Sequence, residues 1–355
     1  MGATVQSIEQ MRDQVLAAAA AGSALRIRGG GSKDWYGQRV EGQVLDTRAH
    51  SGIIDYEPTE LVITARCGTP LAEIEAALAE RNQMLAFEPP HFGDGATFGG
   101  AVASGLSGPR RATSGAVRDF VLGAKLLDGK GQVLSFGGQV MKNVAGYDVS
   151  RLLAGSLGTL GVMLEMSVKV LPRPIAETTL RFETSEIDAL RMLNEWGGMP
   201  LPVSASCWHG NALSVRLSGA QAAVDAAARD MGGELVDNAE AFWSRLREQQ
   251  HPFFAGADSL WRLSVPSSAG AIILKGEQLI EWGGAQRWLK AAADADMAAR
   301  IRRTVAAAGG HATLFRGGDK GVGVFHPLAP AVAKIHERLK ASFDPSNIFN
   351  PGRMY

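Results

Sequence analysis

Apolar residues recur at helical spacing near the start of the chain, where Ile8, Met11, Val15 and Leu16 mark one face. Ser7 with Gln10 three residues on offers an N-cap, and Gly22 a stop. Leu25–Arg28 reads as a short strand running into Gly29-Gly30-Gly31, and residues 61–65 as a second, more apolar strand. Thr69 and Pro70 open a helix whose Leu71, Ile74 and Leu78 share a face, and residues 84–87 read as the next strand, so this stretch predicts a β-α-β unit. Asp128-Gly129-Lys130-Gly131 is turn chemistry between apolar runs at 117–127 and 132–136, which predicts a hairpin. A further strand is predicted over 162–171, after which Pro172 and Pro174 break the pattern and mark a domain boundary.

Beyond the prolines, strands are predicted at 212–217, 234–236, 261–265, 271–274 and 311–315, with helices at 220–231 and 298–308. A small mixed sheet with helices is the expected result, an α+β domain. Residues 330–343 predict an amphipathic helix on the spacing of Ile335 and Leu339, and 344–353 are rich in turn residues. No internal repeat is strong enough to imply duplication.

Composition narrows the class. The chain has 355 residues, enough for two cores, and 46% of them are hydrophobic and 20% charged, the balance of a globular protein. Lys plus Arg equals Asp plus Glu at 36 each, so no global field favours nucleic acid or an anionic membrane. Cys67 and Cys207 form no metal or redox spacing and read as buried thiols of a reducing compartment. Glu9 and Asp13 sit where a secretory signal would need a basic start and an uninterrupted apolar run, and the alanine-rich run near Val15 is short of the roughly 20 apolar residues that span a bilayer. A cytoplasmic protein is expected, at most peripheral to a membrane.

Three glycine-rich segments carry the chemistry: Arg28-Gly29-Gly30-Gly31-Ser32, residues 97–115, and Gly155-Ser156-Leu157-Gly158-Thr159-Leu160-Gly161. Dense glycine at strand ends lets backbone approach a ligand closely, and free amides in such turns hold anions, here suggesting a diphosphate. The familiar nucleotide motifs do not fit. Residues 29–33 lack the Gly-Lys-Ser/Thr ending of a P-loop, and the third segment precedes a strand rather than opening a helix, so it is not the Rossmann fingerprint.

In order and together, the segments resemble the vanillyl-alcohol oxidase, or PCMH-type, FAD-binding domain over most of residues 1–175. The resemblance implies an α+β fold: this FAD domain, with the tail 330–355 packed back on it, and a smaller ferredoxin-like α+β cap domain over 176–329. It implies FAD contacts from Arg28, Gly29, Gly30, Gly31, Ser32 and Lys33, from Pro90, and from Thr97, Gly99, Gly100, Ala103, Ser104 and Gly105. It extends them to Gly108, Ser114, Gly115 and Arg118, to Gly158, Thr159, Gly161 and Val162, and to Asn350. The ending Phe343-Asp344-Pro345 and Asn350-Pro351-Gly352-Arg353 resembles the C-terminal signature of the lactate and glycolate dehydrogenase branch, and the stretch Lys142-Asn143-Val144-Ala145-Gly146-Tyr147-Asp148 is similar to that of the FAD-binding subunits of bacterial glycolate oxidase. Such subunits work with a second FAD-linked subunit and an iron-sulfur subunit, which become the implied partners. A small 2-hydroxy acid, glycolate, is the implied substrate of the complex.

Departures from the pattern bear on mechanism. Relatives that oxidise 2-hydroxy acids carry a Gly-Glu-His-Gly stretch near the end; here it reads Gly318-Asp319-Lys320-Gly321. A lysine of ordinary pKa, about 10.4, cannot accept the hydroxyl proton. No catalytic residue is assigned, and the scattered histidines at 50, 91, 209, 251, 311, 326 and 336 give no metal spacing. The first loop offers no histidine or cysteine for covalent attachment and His91 is the one neighbour, so FAD is expected to be dissociable. Lys33, Arg110, Arg111 and Arg118 are candidate diphosphate or flavin cations, or simply solvated loop charges; Arg316 and Lys320 are candidate carboxylate or partner contacts. Two readings follow: an FAD-binding electron-transfer and assembly subunit, or a stand-alone flavin-dependent glycolate or D-lactate dehydrogenase.

Overall fold

The computed structural model describes residues 8–138 and 148–354. Two compact units emerge. One takes the chain up to Leu106, Ala116–Pro172 and everything from Pro327 on; the other takes Ser107–Gly115 and Arg173–His326. The segment Ser107–Gly115, expected within the first unit, is fastened to the second by its own polar groups. Gly108 O accepts from Trp282 Nε1 at 3.1 Å, Thr113 Oγ1 donates to Ser204 O at 3.1 Å, and Arg110 pairs with Glu177.

The first unit is built on a five-stranded antiparallel sheet. Its order is Ile53–Glu57, Val62–Arg66, Val162–Lys169, Val121–Leu127 and Val133–Gly137, with Leu25–Arg28 pairing in parallel with Gln43–Asp46 beside it. Ile63, Ile74, Phe87, Phe98 and Met166 lie in one core, and Met11, Val15, Leu25, Val162 and Phe349 in another. The hairpin at 128–131 forms, its turn held by Asp128 Oδ1 accepting from the amides of Lys130 and Gln132.

Several expectations are corrected here. The predicted β-α-β unit does not form: Val62–Arg66 joins the antiparallel sheet, and after helix Leu71–Ala79 only Gln83–Met84 pair, with Leu171–Pro172. Leu85, Ala86 and Phe87 are core residues without strand pairing, a case where a short apolar run does not distinguish strand from buried loop. Thr69 does not cap its helix; its hydroxyl accepts from Gly52 N and donates to Arg66 O. Residues 117–120 are a helical turn before the strand. Leu16 and Ile335 are exposed, 40% and 63%, whereas Met11 and Val15 are fully buried. Ser7 lies outside the described residues, as do residues 142–147 of the Lys-Asn stretch.

The second unit is one eight-stranded antiparallel sheet. Ala176–Glu183, Val203–His209, Ala212–Gly219 and Glu234–Leu235, with helices Glu186–Gly197 and Gln221–Met231, make a four-strand half in which the last strand lies beside the first, and the third follows. That is the ferredoxin-like order. Ser259–Ser264, Glu277–Glu281, Gln286–Lys290 and His311–Gly317 repeat the order with one helix, Ala295–Ala307, and the halves join where Val203–His209 pairs with Glu277–Glu281. The strand expected at 271–274 is irregular and occupies the place of the missing helix.

Candidate cofactor site

Strand Leu25–Arg28 delivers its chain into the first glycine loop, which lines an open cleft. Backbone forms much of the wall. A Cβ on Gly30 would overlap the Gly95 carbonyl, and one on Gly29 would overlap the Thr97 hydroxyl, while Gly31 holds a left-handed φ of +76°. The loop's charges are arranged rather than free. Asp34 receives both Arg26 and Arg28, the latter at 2.8 Å, and Lys33 Nζ donates to His91 O at 3.1 Å.

Across the cleft lies the short helix Phe98–Ser104. Thr97 caps it, its Oγ1 accepting from Gly100 N at 3.2 Å, and Gly105 closes it in the left-handed region. The helix sits unusually deep because Gly99 N donates to Cys67 O at 2.8 Å; a Cβ at Gly99 would stand 2.6 Å from Cys67 Cβ. The third glycine segment packs on the same helix, with Gly155 N bonded to Val102 O and Leu157 N to Ala103 O.

These elements bring together Arg28, Gly29, Gly30, Gly31, Ser32, Lys33, Thr97, Gly99, Gly100, Ala103, Ser104, Gly158 and Gly161 as cleft lining. Other expected residues stand elsewhere. Pro90 is buried outside the lining, and Gly105 terminates the helix. Gly108, Ser114 and Gly115 belong to the second unit, where the Ser114 hydroxyl donates to Arg110 O. Arg118 is exposed beside Asp119. Thr159 spends its hydroxyl on Ser156 O, and Val162 is a core strand residue. Asn350 spends its carboxamide on Ile27 N and Leu157 O. Of the remaining candidate cations, Arg110 pairs with Glu177 and Arg111 lies 4.5 Å over the Trp282 ring, both within the second unit.

Thr47, Cys67, Leu157, Met163, Asp34 and Arg353 line the cleft without having been expected there. Met163 lies on a strand of the five-stranded sheet, Cys67 just beyond another, and Thr47 just beyond Gln43–Asp46 of the parallel pair, pairings that no local motif announces. Arg353 arrives from the tail. Burial pushes the Cys67 thiol far up, so it stays protonated. His91 does not line the cleft, and its Nε2 lies 2.9 Å from Glu75 Oε2.

The lining suits a dinucleotide. Small residues admit a flat, extended ligand, and three cations, Arg28, Lys33 and Arg353, face a single carboxylate, Asp34, which is already shared by two arginines. A diphosphate meets that charge balance. Among the described residues no group of three or more His, Cys, Asp or Glu is placed to hold a metal, and no helix is long and apolar enough to cross a membrane. In the second unit, Asp319 Oδ1 accepts from Gly321 N at the turn that carries Lys320, and burial lowers the pKa of Arg316, which is held by Gln249.

Residues 2–137 match the FAD binding domain family. The glycolate oxidase subunit GlcE of Escherichia coli is 53% identical over 98% of this chain and 97% of its own length. The chain belongs to the GlcE family of glycolate oxidase subunits. Two further relatives match a smaller share of the chain. The glycolate oxidase subunit GlcD of Bacillus subtilis is 31% identical over 42% of this chain and 31% of its own length. A D-lactate dehydrogenase of Archaeoglobus fulgidus is 29% identical over 49% of this chain and 39% of its own. In fold, the GlcE-family chain is similar to p-cresol methylhydroxylase with a TM-score of 0.69 at 15% identity, covering 98% of this chain and 87% of that one. An alkyldihydroxyacetonephosphate synthase gives 0.67 at 16% identity, over 98% and 76%.

Proposed function

We propose that this chain is the FAD-carrying subunit of a glycolate oxidase complex that converts glycolate to glyoxylate, and that its own task is electron transfer and assembly. The complex would include a second FAD-linked subunit, on which the substrate reacts, and an iron-sulfur subunit. The observation that carries this reading is the glycine-walled cleft with its surplus of cations, in a chain that matches a glycolate oxidase subunit along almost its whole length. FAD, when bound, supplies two-electron redox chemistry. The protein's part is to hold it: the amides of the first loop against the diphosphate, Gly99 and Gly100 as side-chain-free wall, and Ala103 and Ser104 as small neighbours of the ring system. On this reading the first unit is the FAD domain and the second, which takes Ser107–Gly115 as well as Arg173–His326, a cap.

Glycolate must surrender a hydride and a proton, and the second requires a base. At the position of the relatives' histidine stands Lys320, next to an Asp319 whose carboxylate is engaged with the turn backbone. This favours substrate chemistry on the partner. Among the described residues, Cys67 is held protonated and His91 is turned to Glu75, which favours dissociable FAD. The chain would reside in the cytoplasm and reach the inner membrane only through its partners.

An anaerobic visible spectrum of the purified chain, before and after glycolate, tests the assignment. Flavin bands that persist with glycolate and bleach once the partner subunits are added support it. Bleaching of the chain alone would establish a complete 2-hydroxy-acid site of its own, and a colourless chain that takes up no added FAD would overturn the flavin reading.

A further inference from the structure

Arg353 is a buried cation that makes no ion pair among the described residues. It is 7% exposed and lines the cleft. One terminal nitrogen donates to Tyr36 O at 3.1 Å and Lys33 O at 3.3 Å. The Nε–H is buried and has no acceptor. Asp34 is the acid whose field reaches it, but that carboxylate already holds Arg26 and Arg28. Burial lowers the proton affinity of Arg353, yet a guanidinium remains charged at any working pH.

A fixed cation with an idle donor, taken out of water beside an open cleft, is strongly unfavourable unless an anion arrives. The two carbonyl bonds fix the plane of the guanidinium and tie the tail to the first glycine loop, so the other terminal nitrogen is held in place rather than free to swing to solvent. We propose that Arg353 binds the diphosphate of the dinucleotide, the terminal nitrogen that makes no bond among the described residues donating to a phosphate oxygen while the other keeps the Tyr36 and Lys33 carbonyls. The inference rests on the FAD reading and adds to it: the glycine loops supply neutral amides, and the tail supplies the compensating charge. Arg28 is a weaker candidate because Asp34 already offsets it.

The test uses the full-length chain stripped of flavin, titrated with FAD, ADP and riboflavin, for wild type, Arg353→Gln and Arg353→Lys. Glutamine keeps an amide donor for the two carbonyls but no charge. Arg353→Gln is expected to bind FAD and ADP on the order of 10- to 100-fold more weakly, with riboflavin unaffected. Arg353→Lys should recover part of the loss, and FAD binding by Arg353→Gln should respond less to added salt than wild type does. The thermal midpoint of the flavin-free protein should not fall in Arg353→Gln, because the charge removed makes no ion pair among the described residues. Equal FAD affinity in wild type and Arg353→Gln would overturn this proposal alone. A lowered flavin-free midpoint with no rescue by lysine would overturn it in favour of a packing role, whereas a wild-type chain that binds neither FAD nor ADP would overturn the flavin reading with it.

Discussion

Asn350 and Ile27, 323 residues apart in the chain, share a hydrogen bond of 3.0 Å in which the Asn350 Oδ1 accepts the Ile27 amide. The other end of the same carboxamide, Nδ2, donates to Leu157 O at 2.7 Å, and the side chain is 1% exposed. Its left-handed φ of +41° is one that asparagine tolerates better than most residues. A single amide thus joins the strand before the first glycine loop, the third glycine segment and the tail.

Asn350→Ala leaves a backbone donor and a backbone acceptor buried without partners. We expect a loss of about 2–4 kcal/mol from the first unit. Urea unfolding of the flavin-free protein should show a lower midpoint, and an unchanged midpoint would mean that neither bond matters. FAD affinity should fall as well, because the two glycine segments lose their common anchor.

Glycine substitutions should separate shape from stability. At Gly30 an added methyl meets the backbone carbonyl of Gly95, so Gly30→Ala forces the loop to move and is expected to lose both FAD and thermal stability. At Gly100 it meets only the Thr97 hydroxyl, at 3.0 Å, and Gly100 lines the cleft. Gly100→Ala should therefore keep its melting midpoint while holding less flavin, and Gly100→Val should hold none. Flavin-to-protein ratios and melting curves of the three variants decide this.

Acid should weaken the second unit through His251. Its Nδ1 accepts from Phe253 N at 3.2 Å, a bond that only an unprotonated nitrogen can make. Burial, followed by the neighbouring His209, lowers the ring's pKa below the usual 6.5. The unfolded chain therefore takes up this proton first, so the contribution is full above pH 6.5 and is lost as pH falls through the folded value. Melting midpoints should decline on acidification below pH 6.5, with a shallower slope in His251→Gln. Parallel slopes would show that other groups govern the effect.

Both cysteines should be silent in the folded protein. Cys67 and Cys207 are buried, and burial pushes both thiols up, far from the thiolate form that reacts. Iodoacetamide at pH 8 should modify neither until the chain is unfolded. Cys67→Ser should still take up FAD, and acid precipitation should leave the flavin in solution; yellow colour in the pellet would reveal a covalent bond.

The sequence was most legible where backbone geometry leaves a residue signature. Gly29, Gly30, Gly99 and Gly158 stand at close approaches that no other residue permits, and each was visible as glycine. Legibility ended where tertiary pairing decides. Nothing local indicates that the chain after Leu71–Ala79 turns away from Val62–Arg66 rather than beside it, or that Thr69 is spent on Gly52. Gly108, Ser114 and Gly115 carry the same glycine-rich composition as their neighbours, but the anchors that take them to the second unit, Glu177, Ser204 and Trp282, come from far along the chain. The repeated strand order of the second unit was hidden because matching positions need only share burial, and the loop at 265–276 replaces a helix in one half.

The order in which a ribosome delivers these pieces matters. Strand Leu25–Arg28 emerges early and the residues that complete its surroundings, Phe349, Asn350 and Arg353, emerge after the entire second unit has been made. Until then the first glycine loop has no tail to brace it. The berth for flavin is therefore finished last, by the end of the chain closing on its beginning.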